Sequence, residues 1–180
     1  MKLNPIQQLK EQLDQSQLWT HTVLLKRNEY LCLSGNVDTN LYYVTEGSLR
    51  VFFADENEEH TIRFAYKNSF IAALDSFITN APGKYYIQAI RKTEVKAIDK
   101  KAYINFINCN QENTRLWHTL LEQMILQQME REIDILISSP YERYQRVLKR
   151  SPQLFQEIPH KYIAAYLRMT PETLSRIKKS

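Results

Sequence analysis

The spacing of apolar residues changes along the chain, and each spacing predicts a different kind of element. Near the N-terminus, Ile6, Leu9 and Leu13 fall on one stripe, which predicts a helix over residues 3–18. From residue 21 to residue 98, short segments rich in Val, Ile, Tyr and Phe recur between turn-like clusters. These predicted strands are residues 23–25, 30–33, 41–44, 48–53, 61–65, 85–89 and 94–98. Short strands at this spacing predict a β-sandwich or barrel.

Beyond residue 100 the spacing becomes helical. Residues 100–108 predict a short helix, and residues 111–137 contain neither proline nor glycine. Apolar side chains recur there at three- and four-residue steps: Leu116, Trp117, Leu120, Leu121, Met124, Ile125, Met129, Ile133 and Leu136. Because so long a helix exposes more apolar surface than a small barrel can cover, we expect residues 111–137 to form the seam of a homodimer. The alternative is that the stripe packs only on its own chain.

Ser138-Ser139-Pro140 ends the long helix and suggests a division of the chain. We predict a sensor-like domain over residues 1–110, a dimerisation helix over 111–137 and a helical module over 138–180. The module begins with a helix over residues 141–151, which Pro152 closes.

Two short helices with a turn of about three residues between them are predicted near the end of the chain. Pro159 suits the first turn of the first helix, which runs to about Leu167. The second helix has Thr170 as N-cap, Pro171 at its first position and Glu172 near its positive end. This arrangement is typical of helix-turn-helix modules, whose second helix enters the major groove of DNA. The alternative is a capped helical hairpin on a protein surface.

The charge of the chain fits either a polyanionic partner for this module or a solvated basic surface. Residues 141–180 carry nine Lys and Arg against three Asp and Glu, a net charge of +6, while the other 140 residues carry a net charge of −2. Glu172, Ser175 and Arg176 are the side chains that we expect to read base edges, since Arg forks to guanine and Glu accepts from cytosine. The residues expected on the DNA backbone are Lys161, Thr170, Thr173, Lys178 and Lys179.

Residues 158–178 resemble the helix-turn-helix of the Crp/Fnr superfamily of transcription regulators. Glu172-Thr173-x-Ser175-Arg176 is similar to the signature of its anaerobic-regulator branch, which reads a TTGA-type half-site. Gly35 and residues 41–51 are similar to the β-roll of cyclic nucleotide-binding domains. The resemblance implies an α+β fold with an N-terminal β-roll (a double-stranded jelly-roll barrel) with flanking helices, a long dimerisation helix and the C-terminal module. It implies a homodimer on palindromic double-stranded DNA, with RNA polymerase as a candidate partner.

The sequence departs from that family where the nucleotide is held. Ala72 and Ala73 stand where a glycine and a glutamate are expected, and no arginine lies in the segment, where Lys84 supplies only a point charge. We therefore expect no cyclic AMP in the family's manner, no cofactor, and an effector whose identity is open. The candidate pocket residues are Ala73, Leu74, Lys84 and Tyr85. This pocket is open, holds another small molecule, or is filled by Phe77, Tyr85 and Tyr86.

Two departures fall in the DNA module. Arg168 stands in the turn where the family usually has glycine, at a cost of about 1 kcal/mol if that turn requires a positive φ. The chain ends at Ser180, so we expect no β-hairpin wing after the second helix. These departures support an alternative function, a ligand-binding or protein-interaction sensor with weak or lost DNA binding.

Enzymatic and metal chemistry find little support in the sequence. Cys32 and Cys109 are too few for an iron–sulfur cluster, and the four histidines show no ligand spacing. A cupin-type enzyme would need such ligands inside its barrel, so we expect neither a metal nor a catalytic site. We also expect a cytoplasmic protein without membrane contact, because the sequence shows no spanning apolar run and no signal-peptide core.

Overall fold

Two antiparallel sheets form the body of the protein in the computed structural model, which describes residues 4–56 and 58–179. The strands are β1 (His21–Leu25), β2 (Tyr30–Cys32), β3 (Leu41–Glu46), β4 (Ser48–Ala54), β5 (Glu59–Tyr66), β6 (Phe70–Ile71), β7 (Tyr86–Ala89) and β8 (Thr93–Ile98). One sheet has the order β1-β8-β3-β6 and the other β2-β7-β4-β5. Their apolar faces enclose a core that includes Val44, Leu49, Ile87 and Val95. We call the two sheets together the roll.

Among the described residues, one helix precedes the strands, one lies between β6 and β7, and six follow β8. They are α1 (Pro5–Gln15), α2 (Leu74–Thr79), α3 (Lys100–Asn108), α4 (Gln111–Leu136), α5 (Pro140–Arg150), α6 (Pro152–Glu157), α7 (His160–Tyr166) and α8 (Pro171–Ile177). The predicted mixed fold of β-strands, a long helix and C-terminal helices is confirmed. Closure of the sheets into a jelly-roll barrel stays a prediction.

A second apolar cluster joins α1, α3 and the first half of α4 to the outer face of the roll. Leu9 and Leu13 of α1 are fully buried there, and Tyr103 of α3 lies between Phe77 and Trp117. Asn4 caps α1 by accepting a hydrogen bond from the Ile6 N–H. The predicted start of this helix at residue 3 lies outside the described residues.

A third cluster holds the C-terminal helices against the roll. Val147 of α5, Leu154 of α6 and Leu174 of α8 are buried in it. The roll contributes Ile90, and Phe64 of β5 packs at its edge. The basic module is thus packed on the body through shared apolar surface.

Three local predictions differ from the structure. Pro152 was predicted to close the preceding helix, but it begins a further helix, α6. A proline suits the first position of a helix as well as the position after one. Pro159 occupies the N-cap of α7 and so lies one position before its first turn. The segment where the family holds its nucleotide, residues 70–85, is called the cassette. It contains the short helix α2, whose six residues are too few to show a periodic pattern. None of the helices in the described residues is long and apolar enough to cross a membrane.

Candidate DNA interface and nucleotide pocket

Buried leucine and isoleucine side chains hold α7 and α8 together. Ile163 and Leu167 are fully buried, and Leu174 of α8 packs beside them. The Oγ1 of Thr170 accepts a hydrogen bond from the Thr173 N–H at 3.2 Å, so Thr170 is the N-cap of α8. Pro171 follows at the first helical position, where its missing N–H costs nothing. The predicted pair of helices, the cap at Thr170 and the burial of Ile163, Leu167 and Leu174 are confirmed.

The turn between these helices requires the left-handed backbone region at Arg168, whose φ is 52°. Because a residue with a Cβ is strained at a positive φ, Arg168 destabilises this turn relative to glycine. Arg143 of α5, a residue that the sequence analysis did not single out, supports this turn. Its buried guanidinium donates to the carbonyls of Leu167 and Arg168 at 2.9 and 3.1 Å. The sequence gives no sign of this role, because Arg143 is one of several cations in a basic helix. Its burial is apparent only from the fold.

The expected base-reading residues lie together on the outer side of α8. Glu172, Ser175 and Arg176 are all exposed. A hydrogen bond from its own backbone N–H, with a second one from Thr170, lowers the pKa of Glu172. Glu172 is therefore ionised at neutral pH and can only accept hydrogen bonds, so it suits the N4 amino group of cytosine, which donates them.

The expected backbone-binding residues surround this outer side. Lys161, Lys178 and Lys179 are exposed, and the Nζ of Lys178 lies 2.7 Å from Nε2 of His160. The Nζ of Lys161 lies 4.6 Å from the centre of the Tyr162 ring. Thr170 and Thr173 bring their hydroxyls to 3.2 Å of each other at the start of α8. The ammonium groups of the lysines and the hydroxyls of the threonines can each donate hydrogen bonds to the phosphates of a DNA backbone.

The long helix α4 has two different halves. Leu116 is buried and Trp117 and Leu120 pack against the core cluster with α1 and α3. The second half instead exposes large apolar side chains: Ile125 is 59%, Met129 55%, Ile133 44% and Leu136 81% exposed. The predicted stripe is therefore covered by its own chain only in the first half of α4.

The opposite side of the second half of α4 binds α5 through charge. Asp134 is fully buried, and its carboxylate accepts hydrogen bonds from Arg146 at 3.2 Å and Arg150 at 2.5 Å. Glu130 contacts the same two arginines. The aspartate and its partners orient α5, and with it the module, relative to the long helix.

The cassette of the roll is occupied by the chain's own carboxylate. Oδ1 of Asp75 accepts from the Ser76 N–H at 2.9 Å and Oδ2 accepts from the Lys84 N–H at 2.6 Å. A Cβ added at Gly83 would lie 3.0 Å from Asp75 Oδ1, so this glycine lets the loop approach the carboxylate. Because these backbone donors already hold an anion, a cyclic phosphate placed there would meet like charge. The residues present do not fit a cyclic nucleotide.

The four expected pocket residues are not brought to one open surface. Ala73 is buried at the start of α2, Leu74 and Lys84 are exposed, and Tyr85 packs against the core between the sheets. Of the two other aromatic side chains considered as fillers, Phe77 belongs to the cluster outside the roll. Tyr86 stacks on Phe52 at 5.0 Å.

Comparisons with known proteins agree with this architecture. Residues 22–110 match the family of cyclic nucleotide-binding domains. A CooA mutant from Carboxydothermus hydrogenoformans is similar in structure at a TM-score of 0.71 and 14% identity, covering 88% of this chain and 74% of that chain. Thermus thermophilus Catabolite Activator Protein is similar at a TM-score of 0.58 and 20% identity, and the match covers 98% of this chain and 85% of that chain.

The regulator CLP of Xanthomonas campestris, described as a c-di-GMP responsive global regulator, is similar at a TM-score of 0.68 and 13% identity, covering 94% of this chain and 90% of its own. These neighbours are regulators of the Crp/Fnr type, and at such identities they show a shared fold. No curated protein sequence matches this chain.

Proposed function

We propose that this chain, which joins a cyclic nucleotide-binding-type domain to a helix-turn-helix in the fold of Crp/Fnr regulators, is a DNA-binding transcription regulator. The observation that carries the proposal is the outer side of α8, where Glu172, Ser175 and Arg176 are exposed on a helix whose inner side is buried. Such a regulator acts in the cytoplasm, and RNA polymerase is the further partner that this role implies.

The proposed active form is a homodimer paired through the second half of α4. Ile125, Met129, Ile133 and Leu136 recur at steps of four, four and three residues, so they share one side of the helix. A second copy of the same helix would cover this side as in a coiled coil. Two α8 helices would then enter successive major grooves of a palindrome, with half-sites about 34 Å apart.

The proposed regulator does not depend on a cyclic nucleotide in the cassette. Asp75 already accepts from the backbone donors there, and the segment offers no arginine fork for a phosphate. The effector of the roll, if the roll binds one, is therefore a different kind of molecule.

Fluorescence anisotropy on a duplex with two inverted TTGA half-sites tests DNA reading, with a scrambled duplex as reference. Wild-type protein is expected to prefer the palindrome, and Arg176→Ala is expected to weaken that binding about tenfold or more while leaving the scrambled duplex less affected. Arg27→Ala, which removes an exposed charge from the roll, is the matched control. If Arg176→Ala and Arg27→Ala bind the palindrome equally well, α8 is not the reading helix.

Light scattering coupled to size exclusion tests the seam separately. Ile133→Glu is expected to give a monomer, because it places a charge at the centre of an apolar interface. Ile78→Glu changes an isoleucine on α2 that is more exposed than Ile133, at 64% against 44%, and is expected to leave the dimer intact. A wild-type monomer at the concentrations used for DNA binding would contradict the proposed dimer.

A second candidate function rests on how the module sits on the roll. Tyr162 lies under the Arg50 guanidinium at 4.9 Å, and Tyr166 packs on Phe64 at 5.4 Å. These contacts suit a sensor that signals through a protein partner and binds DNA weakly. Steep salt dependence of DNA binding without preference for the palindrome would favour this second function over the first.

A further inference from the structure

A cleft of about 250 Å³ lies where the roll, the long helix and the C-terminal module meet. Its walls come from β5, the second half of α4, the junction of α5 and α6, and the end of α7. Three arginines line it, namely Arg63, Arg131 and Arg150. It is separate from the cassette around Asp75 and from the outer side of α8.

Arg131 is the most enclosed of these arginines, with 7% of its surface exposed. Its Nη2 donates to the Tyr166 carbonyl at 2.5 Å, and its Cζ lies 3.7 Å from the centre of the Tyr166 ring. Its Nη1 is buried and has no hydrogen-bond partner among the described residues. Buried donors are nearly always paired in folded proteins, so this half-satisfied guanidinium needs an explanation.

Arg63 adds a second unpaired charge from the sheet side of the cleft. Its side chain is partly buried and makes no hydrogen bond or ion pair within residues 4–56 and 58–179. Burial lowers the pKa of both Arg63 and Arg131, but a guanidinium remains charged at neutral pH. Both charges therefore lie in poorly solvated positions without a counter-charge of their own.

Of the neighbouring carboxylates, Asp134 raises the pKa of Arg131 by electrostatic attraction, but it forms no ion pair with Arg131 or Arg63 among the described residues. Asp134 and Glu130 pair with Arg146 and Arg150 between α4 and α5. Four arginines against these two carboxylates leave a formal excess of two positive charges at the junction.

We propose that this cleft binds a small ligand through a phosphate group. A phosphate carries close to two negative charges near neutral pH, which match the excess positive charge. Its several acceptor oxygens match the guanidinium donors of Arg63 and Arg131 that have no partner among the described residues. Gln127 and Gln128 provide amides, and Tyr66 provides a ring, for the remainder of a ligand of modest size. The site depends neither on DNA binding nor on the cassette.

Isothermal titration of the full chain with inorganic phosphate and with glycerol 3-phosphate, at ionic strength matched with sodium chloride, tests the site. Saturable binding is expected for at least one of them. Arg63→Gln is expected to weaken it about tenfold or more, since each lost charge-assisted hydrogen bond is worth about that factor. Arg131→Lys serves as a second variant with a retained charge and no fork, and Arg27→Gln is the control for loss of an exposed positive charge.

The outcomes separate the sources of the phosphate. Tighter binding of the ester supports a phosphorylated metabolite, and equal binding of the two supports free phosphate; each supports the site. The proposal is overturned if neither compound binds saturably below about 10 mM, a limit that already corresponds to a very weak site. It is also overturned if Arg63→Gln binds like Arg27→Gln, or if succinate binds as well as both phosphates.

Discussion

The guanidinium of Arg143 lies 3.1 Å from the carbonyl oxygen of Arg168, the one residue of the helix-turn-helix turn with a positive φ among those described. The same side chain donates to the carbonyl of Ile137, just after α4. A single arginine therefore connects the end of the long helix to the turn that sets the direction of α8. This connection makes the turn's geometry depend on α5 as well as on its own sequence.

Replacing Arg143 by lysine should destabilise the protein by about 3 kcal/mol. Lysine keeps the charge but cannot reach the separate carbonyls that the fork serves, and it leaves some of them unpaired in a buried place. Urea denaturation followed by circular dichroism measures the loss. Lys149→Ala, an exposed change on the same helix, should stay within about 0.5 kcal/mol of wild type. Equal stability of Arg143→Lys and wild type would show that the fork is not needed.

Replacing Arg168 by glycine should raise the free energy of unfolding by up to about 1 kcal/mol. Glycine adopts a φ of 52° without the strain that a Cβ causes there, although it also gains freedom in the unfolded chain. Arg168→Ala keeps the strain and serves as the matched variant, which should show no gain. Thermal unfolding of the two variants compares them, and a glycine variant less stable than the alanine one would contradict the strain.

Acid should weaken the attachment of α1 to the roll through Asp14. Burial alone would raise the pKa of Asp14, but hydrogen bonds from Lys10, Trp19 and Lys96 outweigh it and lower the pKa below its ordinary 3.8. Because the folded pKa is the lower one, the stabilisation is complete above the ordinary value and is lost as the pH falls through the folded pKa.

The substitution Asp14→Asn should therefore cost about 1–3 kcal/mol at pH 7, and the difference from wild type should shrink towards pH 2. Unfolding by urea at several pH values measures both quantities. A difference between the two proteins that stays constant over this range would refute the role of the ionised carboxylate.

The two thiols should differ in reactivity. Burial raises the pKa of Cys32 to about 11, so only about one thousandth of it is thiolate at pH 8. Cys109 is exposed at the end of α3. Ellman's reagent should titrate one thiol in the native protein and two after denaturation. Cys109→Ser should remove the native reaction, while Cys32→Ser should leave it; rapid labelling of Cys32 would contradict its burial.

Much of the fold could be predicted because its signals are local. The strands follow β-branched and aromatic segments, and the cap at Thr170 follows from Thr, Pro and Glu in series. The short elements β6 and α2 escaped because two and six residues carry no period. The sequence does not reveal α6, because a proline can follow the end of one helix or begin the next, and Pro152 begins α6.

The site was predictable only where it is made of one segment. Glu172, Ser175 and Arg176 are close in the sequence, so a motif singles them out as candidates. Arg143 and Arg131 act on carbonyls more than twenty residues away, and a basic residue in a helix gives no sign of such partners. Asp75 was equally hidden, because its role depends on the return of the loop at Lys84.

The third apolar cluster has a consequence for how the protein unfolds. It combines Ile90 of the roll with Val147, Leu154 and Leu174 of the C-terminal helices, so neither side can lose its fold without exposing apolar surface of the other. The two parts should therefore melt in one calorimetric transition, with equal calorimetric and van't Hoff enthalpies. Despite the break at Ser138, we expect the roll and the module to unfold as one cooperative unit.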